Sequence, residues 1–301
     1  MKALPVAASL AIASALCFAG CQRAAAPGTA APVGVPSVSA LDDAAELVES
    51  TVDSLGISRD SPNYQAVIDA GARVVDVPAM QTFFVLWVPE GYQSGSVRRV
   101  LTLAHGSRGS AYAEIDQELD PARQHGYALL AVQWWLPASD YYLEPDEVYA
   151  LLSLALQYMQ QHYATEPDRA AYSGFSRGAA ISYEVTFYDR QAGTDYFALT
   201  ISHSGGVPVD GGRPFFEDLS NGLYGSQPFA GSRFFMYCGM QDEFWGTEQC
   251  EQMHNAESIV REYGATIEQF IEAPDGGHAG LRDNPDYHEQ AIAAFLRLTA
   301  E

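Results

Sequence analysis

Residues 169–185, RAAYSGFSRGAAISYEV, decide how the chain is read. The stretch begins as a strand-like apolar run and ends as a helix-like one, and at the junction Ser176 stands between Gly174 and Gly178. A sharp strand-to-helix turn crowds the backbone, and glycines two residues either side of its apex relieve the crowding. Such a turn lifts a hydroxyl above a sheet edge, with the backbone N–H of Arg177 beside it to meet developing negative charge. A Gly-x-Ser-x-Gly pattern also occurs in purely structural turns. Its weight therefore depends on the surrounding elements and on partners for the serine.

Upstream, ARVVDVP (72–78) and QTFFVLWVPE (81–90) are β-branched and aromatic runs that read as an opening antiparallel pair. RRVLTLAHGSRGS (98–110) reads as a buried strand running into a polar loop, and HGYALLAVQWW (125–135) as a strand covered on both faces. Between Pro145 and Tyr163, Val148, Leu151, Leu152, Ala155 and Met159 recur at helical spacing, with Pro145 suited to the first turn. Downstream, strands are expected at 196–206, 232–240 and 266–274, with helices from Arg177, at 250–264 and at 287–300. Strands alternating with helices imply a mostly parallel sheet wrapped on both faces. The segment 207–231 reads as a loop of ordinary extent, so no large lid domain is expected.

A serine hydroxyl needs a base, and the base needs an orienting carboxylate. After a turn of this kind they are expected in the order serine, acid, histidine. Four histidines follow Ser176: His203, His254, His278 and His288. His278 lies in APDGGHAG (273–280), a glycine-rich loop after the last predicted strand, and is the candidate base. His203 precedes every acid candidate, while His254 and His288 fall in predicted helices and read as solvated. FFMYCGMQDEFW (234–245) ends the preceding strand and offers Asp242 and Glu243. Asp242, which completes a Gly-x-x-Asp turn from Gly239, is the preferred acid, with Glu243 and Asp275 as competitors. The loop LAHGSRGS supplies a second oxyanion donor: the N–H of Ser107 is expected beside that of Arg177, with His105 orienting the loop. This chemistry calls for no metal or cofactor.

The stretch EPDRAAYSGFSRGAA (166–180), together with HGSRG and GGH, resembles the α/β-hydrolases. It is similar to secreted polyhydroxybutyrate depolymerases and related feruloyl or acetyl-xylan esterases. Glu166–Pro167 and Ala179 depart from their usual pattern. The resemblance implies an α/β-hydrolase fold and a carboxylic ester hydrolase, with Ser176 as nucleophile, Asp242 as acid and His278 as base. The alternatives are a serine peptidase on the same three residues and a non-catalytic binding protein on a hydrolase scaffold. For substrate contacts, Trp134, Trp135 and Phe175 are candidates, because rings near the serine can stack on an aryl or sugar group.

The N-terminus, MKALPVAASLAIASALCFAGC, has one lysine, an apolar run and small residues before Cys21. It reads as a signal peptide (1–21) of lipoprotein type, with Cys21 lipidated. An Ala-, Pro- and Gly-rich tether (22–40) and a catalytic domain (41–301) follow. An exported chain, periplasmic or at the cell surface, would then meet a membrane only through its lipid. With 38 acidic against 16 basic residues and a net charge of -22, nucleic acid is a poor partner. Beyond the leader only Cys238 and Cys250 remain, a disulfide pair in an oxidising compartment.

Overall fold

Two antiparallel strands open the architecture, β1 (Arg73–Val77) and β2 (Thr82–Trp87), paired with Val75 opposite Phe84. The computed structural model describes Leu41 and residues 62–300, apart from 96, 167 and 210–212. The leader, Cys21 and the tether lie outside the described residues. Ahead of β1 runs α1 (Pro62–Asp69). Then follow β3 (Val100–Ala104), α2 (Ala111–His125) and β4 (Ala128–Val132). A short ladder, β5 (Trp135–Leu136) with β6 (Tyr141–Tyr142), leads into α3 (Pro145–Tyr163). β7 (Ala170–Phe175) is followed by α4 (Arg177–Ala180), α5 (Ser182–Ala192) and β8 (Phe197–His203). The chain finishes with α6 (Pro214–Ser220), β9 (Arg233–Gly239), α7 (Glu248–Glu262), β10 (Thr266–Ala273), α8 (Gly280–Asp283) and α9 (Pro285–Leu298).

Eight strands form one sheet in the order β1-β2-β4-β3-β7-β8-β9-β10. From β4 to β10 every pairing is parallel, and β2 joins β4 antiparallel. Helices cover both faces, as the alternation along β9 shows. Phe234, Met236 and Cys238 pack with Cys250, Met253 and Val260 of α7, whereas Phe235 and Tyr237 join the core that holds Leu281, Ala291 and Phe295. Every residue of β2, β3 and β4 is buried, which is why those runs read as continuous apolar stretches.

Several elements differ from the sequence expectation. The segment 207–231 carries α6, whose Phe215 and Phe216 pack on Phe187 and Tyr183 of α5. The helix expected from Arg177 is broken at Ile181 into α4 and α5. Helix α2 went unrecognised because its buried face carries Glu114 and Glu118 among Tyr112, Ile115 and Leu119. Arg282 pairs with Glu114, and His288 with Glu118 at 3.0 Å, so these carboxylates are compensated from the far end of the chain. His288 is therefore a half-buried partner of α2 rather than a solvated helix residue.

Cys238 at the end of β9 and Cys250 in α7 are bonded, with Cα atoms 5.2 Å apart. Closing a loop of this size stabilises a fold by about 3 kcal/mol in the chain-entropy model. The bridge brackets the segment that carries Asp242.

Candidate active site

Ser176 sits at the apex between β7 and α4 with φ 54° and ψ −116°, a conformation that costs a non-glycine residue energy. Its surroundings hold it there. A Cβ on Gly174 would run into the Gly178 carbonyl, one on Gly178 into the Ala104 carbonyl, and one on Gly205 into the carbonyl of Ser176 itself. Gly174 and Gly178 thus serve close backbone approach, as their spacing suggested; Gly205 is a third such position from a distant loop. The Ser176 N–H also donates to the His203 carbonyl at 2.8 Å, tying the turn to the end of β8.

The three expected side chains meet. His278 Nε2 lies 2.8 Å from Ser176 Oγ, and His278 Nδ1 lies 2.5 Å from Asp242 Oδ2. Asp242 and His278 are both buried. The other carboxylate oxygen, Asp242 Oδ1, accepts the backbone N–H groups of Phe244 (2.9 Å) and Trp245 (3.0 Å), which fixes the carboxylate plane. Glu243 points elsewhere: its Oε2 accepts the backbone N–H of His278 at 2.9 Å, holding the histidine loop but not the imidazole. Asp275 is exposed.

The expected oxyanion loop lies against the serine. β3 pairs with β7 in register, Ala104 opposite Gly174, so the loop after β3 and the turn after β7 leave the same sheet edge side by side. A Cβ on Gly106 would stand 3.1 Å from the Cβ of Ser176. Among the described residues neither the Ser107 nor the Arg177 N–H has a hydrogen-bond partner. His105 is fully buried, its Nδ1 2.8 Å from the Gly106 carbonyl, and burial lowers its pKa to about 4. A neutral imidazole that shapes the loop is the role its position suits.

One of the three substrate-contact candidates is placed otherwise. Trp134 is 1% exposed; it stacks on His105, and its indole N–H donates to the His105 carbonyl at 3.1 Å, so it is a core residue. Phe175 is wedged between the rings of His203 and His278, at 4.8 and 5.1 Å, with the Arg282 guanidinium 4.7 Å from its centre. It packs against the base and is half-exposed. Trp135 remains half-exposed and stacks on Tyr142, whose ring also carries the Arg177 guanidinium at 4.1 Å.

Other residues complete the site; of these His203, at the end of a strand, is one the sequence could place at the same rim, and Phe244 and Trp245 are not. His203 is buried with its ring 4.8 Å from that of Phe175, and its pKa is driven well below the ordinary histidine value by burial and then by the Arg282 charge. Phe244 and Trp245 stand at the rim, and Phe244 meets the His278 ring edge-on at 5.1 Å. Their signal was the aromatic dipeptide that follows Asp242 and Glu243, outside any periodic element.

No family model matches the chain, and no curated protein matches it in sequence. Solved structures do match it in shape. An esterase of the fungus Rhizomucor miehei aligns with a TM-score of 0.58 at 15% identity, covering 90% of this chain and 98% of its own. An arylesterase aligns at 0.54 and 13% identity, over 88% and 98% of the two chains. A truncated carbohydrate esterase from gut microbiota gives 0.54 and 14%, over 75% and 93%. The fold is that of the α/β-hydrolases.

Proposed function

We propose that the protein is a serine esterase that cleaves carboxylic esters through an acyl-enzyme on Ser176. The observation that carries this reading is the unbroken hydrogen-bonded chain from Ser176 Oγ through His278 to Asp242. Ser176 Oγ attacks the ester carbonyl as its proton passes to His278 Nε2, and the carbonyl oxygen becomes an oxyanion facing the N–H groups of Ser107 and Arg177. Asp242 accepts the hydrogen bond of the imidazole Nδ1–H and stabilises the imidazolium. The C–O bond to the alcohol then breaks as Nε2 returns its proton to the departing oxygen, leaving the acyl group on Ser176. Water, deprotonated by His278, attacks that acyl group; the tetrahedral adduct collapses to the acid, and Ser176 recovers its proton.

The test is a pair of rates on the mature protein. Hydrolysis of p-nitrophenyl acetate is expected to exceed that of an aminoacyl p-nitroanilide by at least about 10²-fold, with stoichiometric loss of activity as Ser176 Oγ is phosphonylated by an organophosphonate and displaces its leaving group. Faster cleavage of the anilide would move the assignment to a peptidase. No turnover of either, with no phosphonylation, would favour the non-catalytic reading.

We further propose that the enzyme is exported and held by lipid on Cys21, supported by the leader sequence and by a disulfide suited to an oxidising compartment. Radioactive fatty acid fed to producing cells is expected to label the wild type and not Cys21→Ser. An unlabelled, soluble wild type would make the leader an ordinary secretory one.

A further inference from the structure

Five large apolar side chains are exposed among the described residues, and Phe244 (70%) and Trp245 (54%) are the only adjacent pair. They are not loosely held. Both backbone N–H groups are bonded to Asp242 Oδ1, the Gly246 N–H returns to the Asp242 carbonyl at 2.8 Å, and the disulfide closes the segment. The Phe244 ring thus presents apolar surface to solvent beside the imidazole, and Trp245 adds a second exposed ring on the same anchored backbone.

We infer that Phe244 and Trp245 are the platform for the alcohol half of the ester, and that the enzyme selects esters of bulky apolar alcohols. The inference rests on the esterase reading. The sheet order sets its geometry. β3 lies on one flank of β7 and β8, β9 and β10 on the other, so the Ser107 loop and the loops of Asp242 and His278 approach Ser176 from opposite sides. The carbonyl oxygen turns toward the Ser107 flank. The alcohol oxygen takes its proton from His278 Nε2 and must come within about 3 Å of it. The alcohol therefore leaves along the imidazole, and the ring standing edge-on to that imidazole is Phe244. The Trp245 side chain, on the neighbouring residue of the same anchored turn, extends the apolar surface.

The test separates the two halves of the substrate. One series holds the acyl group as acetate and varies the alcohol from methyl to butyl to benzyl; the other holds p-nitrophenol and varies the acyl group from acetyl to hexanoyl. In Phe244→Ala and Trp245→Ala, the benzyl-to-methyl ratio of kcat/KM is expected to fall about tenfold, the lower end of what apolar pocket contacts give. The hexanoyl-to-acetyl ratio is expected to stay within about twofold. Phe244→Leu, which keeps apolar bulk, should hold the alcohol ratio within about threefold of wild type, and thermal melts check that each variant is folded. An unchanged alcohol ratio in the folded alanine variants, or a shift in the acyl ratio instead, overturns the inference. Absence of ester turnover in the wild type overturns the esterase reading itself, so the two failures are distinct.

Discussion

Replacing Ser176 by alanine is expected to remove ester hydrolysis, with a fall in kcat on the order of 10⁶, the loss typical when the nucleophile of such a constellation is deleted. The argument is geometric. Ser176 Oγ is the hydroxyl 2.8 Å from His278 Nε2, so nothing else at the turn can take up the acyl group. Alanine keeps the Cβ and the N–H that donates to His203, and it leaves the crowding around Gly174, Gly178 and Gly205 untouched. The melting temperature should therefore move by no more than about 2 °C. Initial rates on p-nitrophenyl acetate, read beside a thermal melt, decide it; turnover within tenfold of wild type in a folded variant would falsify the covalent route.

The second expectation separates two adjacent carboxylates. Asp242→Asn should lower kcat by about 10⁴ with little change in stability, because an amide cannot fix the imidazole tautomer or stabilise the imidazolium formed as Ser176 attacks. Glu243→Gln should stay within about tenfold of wild type, since the amide oxygen can still accept the His278 backbone N–H that Glu243 Oε2 accepts now. Both variants are measured on one small ester. If Glu243→Gln is the dead variant and Asp242→Asn the active one, the assignment of the acid is wrong.

What the sequence disclosed and what it hid have separate physical causes. The turn at Ser176 was legible because the collision that demands Gly174 comes from Gly178, four residues on, although the one that demands Gly178 comes from Ala104 at the end of β3. The order serine, acid, histidine was legible because each stands at the end of a strand or just past it, where periodicity stops. Helix α2 was hidden because Glu114 and Glu118 occupy buried positions that only Arg282 and His288, more than 160 residues on, make tolerable. The same pairing hid the burial of His288. Trp134 and Trp135 are neighbours in sequence, yet one ring enters the core and the other stays half-exposed. The choice depends on His105, which reaches Trp134 only after β3 and β4 have paired. Gly205 touches the site from the loop after β8, at a position where no motif announces it.

The turn after Asp242 has a consequence for how such an enzyme can diversify. Phe244 and Trp245 orient the acid through their backbone N–H groups, atoms that nineteen of the twenty residue types possess, while their side chains project away from the carboxylate. Only proline, which lacks the N–H, would be excluded at either position on that ground. Two neighbouring codons can therefore drift, and with them the rim beside the base, without disturbing the proton path. At Gly174, Gly178 and Gly205 the neighbouring backbone leaves no space for any side chain. A mutational library aimed at altered substrate choice should be rich in active members at 244 and 245 and nearly barren at those three glycines.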